Sequence, residues 1–203
     1  MSGINFRISK PENKLAIGSS RLFGNPDVWD GFEWPCIEEN GEKYDLTFMG
    51  QINCIEAAVF NDDSPLPEMG MLYFFYDLDT MPEMPHDKSA RVIWYNGGMS
   101  GLHEMMLTDE DGNNMAFPEL KIDFEAAGAD KSTFCLLPGD SIPDSTGNYD
   151  SIMDWTALLQ LVSFETEDVE IRFKDGGMLC FYIEYNNLSA YDFSDVRTAQ
   201  IKF

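Results

Sequence analysis

Short apolar stretches alternate with clusters of Pro, Gly and Asp along the whole chain. This pattern is typical of short strands joined by turns, because these residues favour turn conformations and interrupt strand ladders. Several of the stretches are apolar throughout, which predicts strands that are buried on both faces. The predicted strands are residues 47–53, 71–76, 91–95, 133–137, 157–163, 169–174, 178–185 and 196–203.

Helical patterns are few. Residues 55–60, with Glu56 near the start, and residues 151–158 are predicted as short helices, and residues 117–127 as a weaker third. The prediction is therefore an α+β protein that is mostly antiparallel β, with few short helices.

The two halves of the chain carry the same features in the same order. Each half has a Gly-Asn turn, a Trp, a Gln in an apolar strand, and a Gly that opens a Gly-Met-Leu strand. This order predicts one domain over residues 1–203, built by internal duplication of a β-rich unit packed across a pseudo-two-fold axis. The copies span about residues 19–90 and 140–203, and residues 91–139 link them. The shared features are Gly24, Trp34, Gln51 and Gly70 in the first half, and Gly147, Trp155, Gln160 and Gly177 in the second.

The same positions resemble the YwqG-like family of bacterial proteins, whose biochemical activity is not established. The resemblance runs from about residue 19 to residue 200 and implies the fold but no reaction. Where the family has Gly-Gly-Tyr-Pro before its second copy, this chain has Gly147, Asn148, Tyr149 and Asp150. The residues that carry the resemblance are Ser20, Arg21, Phe23, Gly24, Pro26, Trp34 and Pro35, the stretches 46–53, 66–77, 158–161 and 176–183, and Asp192, Phe193 and Ser194.

The composition predicts a protein of the cytoplasm with a full core. The chain has 203 residues, of which 44% are hydrophobic and 13% aromatic, so it can bury one domain core. No apolar run approaches the roughly 20 residues of a membrane span, and the N-terminus lacks the pattern of a signal peptide. The cysteines are scattered without a CxxC pair, which predicts free, mostly buried thiols and no zinc site. They are Cys36, Cys54, Cys135 and Cys180.

The net charge is −23, from 36 acidic and 13 basic residues. A chain this anionic repels nucleic acid, and without a basic cluster it also repels anionic membranes. Two interpretations stay open: the charge keeps the protein in solution, or it attracts a basic protein partner by electrostatic steering.

The sequence holds little of the chemistry that an active site needs. His103 and Glu104 begin a zinc-protease motif, but Leu107 stands where the second His is required. His86 lies in a charged turn. Residues 109–114 fail as a calcium loop, because Leu107 and Pro118 fall where carboxylates are needed. The inventory predicts no metal and no cofactor, and it argues against an enzyme.

Six residues are candidates for a binding site. A buried amide must satisfy several hydrogen bonds, so Gln51 and Gln160 are either structural bridges or the lining of a groove shared by the copies. Trp34 and Trp155 are core anchors or walls of that groove. Arg21 pairs with a carboxylate or holds an anionic ligand beside the Gly24 turn.

Three functions follow from these features. The first is a non-enzymatic acidic module that binds a basic partner, as an immunity protein binds a toxin. The alternative is a small-ligand-binding protein or an enzyme with its site in the groove between the copies. The third is a structural or regulatory protein without a dedicated site.

Overall fold

The computed structural model describes residues 3–39, 41–61, 63–83, 88–126, 134–138, 152 and 154–202. Within these ranges the chain forms sixteen strands and two α-helices. The helices are α1 (Cys54–Ala58) and α2 (Tyr185–Ser189). The strands are β1 (Ile4–Ser9), β2 (Arg21–Leu22), β3 (Asp27–Val28), β4 (Cys36–Glu39), β5 (Glu42–Asp45), β6 (Thr47–Asn53), β7 (Met71–Tyr76), β8 (Ala90–Tyr95), β9 (His103–Glu104), β10 (Leu120–Ala126), β11 (Phe134–Leu136), β12 (Thr156–Val162), β13 (Phe164–Glu165), β14 (Glu170–Ile171), β15 (Met178–Ile183) and β16 (Val196–Ile201).

Ten strands form one antiparallel sheet in the order β16-β15-β12-β11-β1-β10-β2-β6-β7-β8. The sheet curls until its two edge strands come close together. The hydroxyl oxygens of Ser89 and Thr198 are 3.0 Å apart, and the Gln200 N–H donates to the Glu83 carbonyl oxygen at 3.1 Å. The predicted class, mostly antiparallel β with few short helices, is confirmed.

Most predicted strands are present, but two predicted helices are wrong. Residues 117–127 contain β10, in which Leu120 and Ile122 are buried and the intervening Lys121 is exposed. That period of two fits a strand and not a helix. Residues 156–158, at the end of the other predicted helix, begin β12, while residues 151 and 153 lie outside the described residues. The helix predicted at 55–60 is confirmed as α1, whereas β1 and α2 were not predicted.

The two halves of the ten-stranded sheet have the same pairing register. In β6 and β7, Gln51 lies opposite Tyr73 and the register shifts around Met49. In β12 and β15, Gln160 lies opposite Cys180 and the register shifts around Leu158. Adding one residue at the same position bends both strands in the same way.

The strands that flank these pairs also correspond between the two halves of the sheet. Arg21 of β2 pairs with Gln51, and Cys135 of β11 pairs with Gln160. Beyond them, β10 pairs with β2 and β1 pairs with β11, while β1 and β10 pair with each other at the centre. The strand from the start of the chain thus occupies in one half the place that β10 occupies in the other. The strand order and the registers of the two halves therefore match, and duplication across a pseudo-two-fold axis stays a prediction.

The two faces of β7 belong to different hydrophobic clusters. Leu72, Phe74 and Tyr76 pack in the main core, and the Phe74 ring meets that of Phe181 with centroids 5.4 Å apart. The alternate residues Met71, Tyr73 and Phe75 face a second cluster, as strand geometry requires. Its partly buried members are Trp29, Phe32, Trp34, Ile93, Tyr95, Met99 and Met105.

Candidate functional site

A buried ion pair lies at the start of the first half of the sheet. Arg21 is 1% exposed and pairs with Asp27, which is fully buried. The same guanidinium lies 3.3 Å from a carboxylate oxygen of Glu119. One buried cation therefore faces two carboxylates, which leaves the three groups with a formal charge of −1.

Gln51 ties this ion pair to the sheet. Its Nε2 donates to the Asp27 carboxylate at 2.7 Å and to the Ser19 carbonyl oxygen at 2.9 Å, while its Oε1 accepts from the Asp27 N–H at 2.8 Å. The Gly18 N–H also donates to the Asp27 carboxylate at 2.8 Å. These bonds satisfy the buried amide, as a structural bridge would.

Tyr73 holds the backbone of the same segment from the second cluster. Its hydroxyl donates to the Asp27 carbonyl oxygen at 2.5 Å. Burial, followed by the nearby charge of Asp27, raises the pKa of the Tyr73 phenol. The phenol therefore keeps its proton near neutral pH and remains a donor.

Gly24 lets a second chain segment approach Arg21. Its φ is +70°, and a Cβ at this position would lie 2.7 Å from the Cβ of Glu119. The Gly24 N–H donates to the Phe117 carbonyl oxygen at 3.0 Å. Because glycine has no side chain, residues 117–119 pack closely enough for Glu119 to reach the guanidinium.

An open groove with a volume of 480 Å³ lies beside this cluster. Within it the Lys14 ammonium lies 2.5 Å from one oxygen of Glu104, and Asn25 Nδ2 donates to the other oxygen at 3.1 Å. These hydrogen bonds lower the pKa of Glu104, and the Glu104 carboxylate raises the pKa of Lys14. Both groups are therefore charged at neutral pH. The groove is lined by Pro11, Glu12, Asn13, Lys14, Gly24, Asn25, Glu104, Asn114, Ala116, Phe117, Pro118 and Glu119.

Three buried polar atoms of this region have no hydrogen-bond partner among the described residues. They are Arg21 Nε, Asn25 Oδ1 and Asp27 Oδ1. An unpaired buried polar atom costs about 1–3 kcal/mol. All three atoms belong to the Arg21–Asp27 ion pair or to the turn between these two residues.

The structure brings together three of the six predicted site residues: Arg21, Gly24 and Gln51. Trp34 lies in the second cluster, where its Nε1 donates to the Leu46 carbonyl oxygen at 2.9 Å. Trp155 packs against the main core under the Arg197 guanidinium, 4.6 Å from the ring centroid. Gln160 is buried in β12. Four strands separate β12 from β6 in the sheet order.

Several residues of the site were not predicted from the sequence. Asp27 and Asn25 stand in the turn that carries the family resemblance, which was the available signal. Glu104 stood in a motif that fails as a zinc site, and Glu119 lay in a segment predicted as a helix. The pairing of β2 with β10, together with the close approach at Gly24, explains why Glu119 reaches Arg21.

The described part of the chain shows neither a cluster of metal ligands nor a thiol with a lowered pKa. No group of three or more His, Cys, Asp or Glu side chains there is placed to hold a metal ion. His103 is exposed, and His86 lies outside the described residues. Burial raises the pKa of Cys54 and Cys180 to about 12 and that of Cys135 to about 11. These three thiols are therefore poor nucleophiles at neutral pH.

The thiols are expected to differ in reactivity towards Ellman's reagent at pH 8. The half-buried Cys36 should react first, because a buried thiol with a pKa near 12 is ionised in only about one molecule in ten thousand at that pH. Thiol titration in buffer and in urea tests this. Four thiols should react in urea, and rapid reaction of more than one thiol in the folded protein would contradict the expectation.

Neither α-helix among the described residues has the length or apolar content that a bilayer crossing requires.

The fold and the site together define the class of protein: a strongly acidic, antiparallel β-protein with a buried ion pair beside an open groove. The chain belongs to the family described as domain of unknown function DUF1963, which matches residues 20–135, more than half of its length. The matched range includes Arg21, Asn25, Asp27, Gln51, Glu104 and Glu119. No curated protein matches the chain in sequence.

Proposed function

We propose that this protein is a non-enzymatic, YwqG-like binding module of the bacterial cytoplasm that associates with a basic protein, in the way that an immunity protein or antitoxin binds its toxin. The observation that carries the proposal is that most of the basic side chains are already engaged in ion pairs within the chain. Those with a carboxylate within 4.0 Å are Arg7, Lys10, Lys14, Arg21, Lys121, Arg172, Lys174, Arg197 and Lys202.

Carboxylates greatly outnumber these cations, with 36 acidic against 13 basic residues. The lysine and arginine pairs of the described residues involve eleven of the 36 carboxylates, so most of the acidic side chains remain to give the surface its negative potential. Such a potential speeds the approach of a basic partner and weakens the approach of nucleic acid and anionic lipid. Because the Debye length is about 8 Å at physiological ionic strength, association of this kind weakens as salt rises.

The alternative site between the two halves has less support. It needs Arg21, Trp34, Gln51 and Gln160 around one cavity. Instead, the Arg21 guanidinium and the Gln51 amide both contact the buried Asp27 carboxylate. Gln160 lies in the opposite half of the sheet. The groove beside Lys14 and Glu104 is lined by residues 11–14, 24–25, 104, 114 and 116–119, and none of these belongs to the second copy.

Affinity capture of the tagged protein from the lysate of its native host tests the proposal. At low salt we expect one basic protein to be retained in stoichiometric amount, and its yield to fall as salt is raised. An unrelated bait of equal net charge controls for general attraction. The captured protein is then purified and titrated into the purified chain by calorimetry.

Two outcomes would overturn the proposed function. One is the absence of any stoichiometric basic protein in repeated captures. The other is a retained protein that binds the unrelated acidic bait equally well, since charge alone would then account for retention.

A further inference from the structure

We propose that the groove beside Asn25, Glu104 and Glu119 receives an arginine side chain of the basic partner. This inference rests on the proposed function and deepens it by naming the chemical group that is recognised. Four features of the groove support it: its charge, an unpaired acceptor buried just behind its lining, the chain's own lysine within it, and an exposed aromatic ring.

The first feature is the negative charge of the groove. Its lining contains the carboxylates of Glu12, Glu104 and Glu119 and one ammonium, that of Lys14. Behind it, the Arg21 guanidinium already divides its charge between Asp27 and Glu119. A cation entering the groove would therefore meet carboxylates that are only partly neutralised, and a guanidinium can bond to two such oxygens at once.

The second feature is Asn25. The residue is 7% exposed, and its Nδ2 is committed to Glu104 at 3.1 Å. Its Oδ1 has no hydrogen-bond partner anywhere in the described parts of the chain. Asn25 lines the groove, and its unpaired oxygen is buried just behind that lining. A guanidinium that takes the place of Lys14 would bring five N–H donors and no acceptor next to it, whereas a carboxylate or phosphate ligand would bring only acceptors.

The third feature is Lys14, whose ammonium already rests on Glu104. The side chain of Lys14 is 64% exposed, and it reaches Glu104 from a distant part of the sequence. An exposed lysine on a flexible stem can leave at little cost, because exposed ion pairs contribute little to stability. The free protein therefore fills the site with a cation of its own, which a partner arginine would replace.

The fourth feature is the ring of Phe117, which lines the groove and is 37% exposed. Its inner side packs against Phe23, with ring centroids 5.3 Å apart. An exposed aromatic face beside carboxylates favours a planar guanidinium, which stacks, over a compact ammonium. This geometry selects arginine over lysine.

A fluorescein-labelled peptide of alternating glycine and arginine provides the probe, with binding measured by fluorescence anisotropy at low salt. We expect Glu104→Gln and Asn25→Leu each to weaken binding about tenfold, the loss of one charge-assisted or buried hydrogen bond. Lys14→Met should strengthen binding several-fold by removing the internal competitor. The lysine version of the peptide should bind several-fold more weakly than the arginine version.

Glu83→Gln is the matched control. Glu83 pairs with Lys174 at 2.7 Å in a different groove, so this change removes the same charge from another pair between a glutamate and a lysine. It should alter peptide binding by less than about twofold. Circular dichroism and urea unfolding of every variant show that a loss of binding is not a loss of folding.

The results separate this inference from the proposed function. Equal weakening by Glu104→Gln and Glu83→Gln would overturn the groove as the recognition site and leave general charge attraction in place. Equal affinity for the arginine and lysine peptides would overturn the assignment of arginine. If the unaltered protein bound neither peptide at low salt, both the groove and the proposed acidic module would be wrong, since its charge should attract any polybasic chain.

Discussion

Replacement of Arg21 by methionine is expected to lower the free energy of unfolding by about 3–5 kcal/mol, the usual cost of removing one partner from a buried ion pair. The side chain is 1% exposed, and Asp27, its partner, is fully buried. Without the guanidinium, the Asp27 carboxylate would keep only neutral donors, the Gly18 N–H and the Gln51 amide. Urea unfolding followed by tryptophan fluorescence measures the change.

Two comparisons make this prediction specific. Arg7→Met removes an exposed pair with Glu125, whose atoms are 3.2 Å apart, and should leave stability nearly unchanged. In the double variant Arg21→Met with Asp27→Asn, the free energy of unfolding should fall by about 1–3 kcal/mol less than the sum of the losses in the two single variants, because both substitutions remove the same interaction. If Arg21→Met proved no more harmful than Arg7→Met, the buried pair would not hold this end of the sheet.

Replacement of Gly70 by alanine is expected to lower the free energy of unfolding by about 2–5 kcal/mol, as the sum of two penalties. The φ of Gly70 is +92°, a conformation that costs a non-glycine residue about 1–2 kcal/mol. The added Cβ would also lie 2.1 Å from the Tyr95 carbonyl oxygen. Backbone must therefore move at the point where β7 meets β8, and such overpacking costs about 1–3 kcal/mol. Thermal and urea unfolding measure the loss.

Gly31 is the matched control for the backbone penalty. Its φ is +87°, and no described atom lies within 4 Å of a Cβ built there, so Gly31→Ala should cost only about 1–2 kcal/mol. Gly177→Ala tests the equivalent position in the other half, where the Cβ would lie 2.0 Å from the Ile201 carbonyl oxygen. A loss for Gly70→Ala no larger than that for Gly31→Ala would show that the strand ends adjust freely.

The matching registers make the difference between the two halves of the sheet informative. Arg21 and Cys135 occupy equivalent places beside Gln51 and Gln160, respectively. The backbones there also agree: Phe23 and Leu137 have φ values of 55° and 50°. Their N–H groups donate at 3.1 and 2.9 Å to the carbonyl oxygens of the residues at the two register shifts, Met49 and Leu158. The same backbone conformation thus holds a buried ion pair in one half of the sheet and a cysteine thiol in the other. The groove lies beside the ion pair.

The local pattern of apolar and turn residues was enough to predict the strands that are apolar along most of their length. Residues 47–53 and 71–76 form β6 and β7 with the predicted bounds, because long apolar runs between turn residues leave few alternatives. The same reasoning failed for β10, where an alternating segment was predicted as a helix. It also missed β1, whose buried residues Ile4 and Phe6 flank the polar Asn5.

The candidate site was predicted only as far as single residues could indicate it. Arg21, Gly24 and Gln51 stood out because a cation, a turn glycine and an amide are each notable in an apolar, acidic chain. Asp27 follows the Gly24 turn closely, and its place in that turn was the only sign in the sequence that set it apart from the other carboxylates. Its role depends on burial, which makes the pairing energy large.

The sequence by itself determined the β-rich class, the acidic surface, the positions of the main strands and the shared order of features in the two halves. These properties follow from composition and from the spacing of apolar residues, which act locally along the chain. Tertiary structure decided that β1 and β10 meet at the centre of the sheet, and that Lys14, Asn25, Glu104 and Glu119 surround one groove. Those contacts join segments up to 122 residues apart, the separation of the paired residues Ile4 and Ala126. Their geometry depends on how a curled sheet closes and packs, and local pattern does not encode that closure.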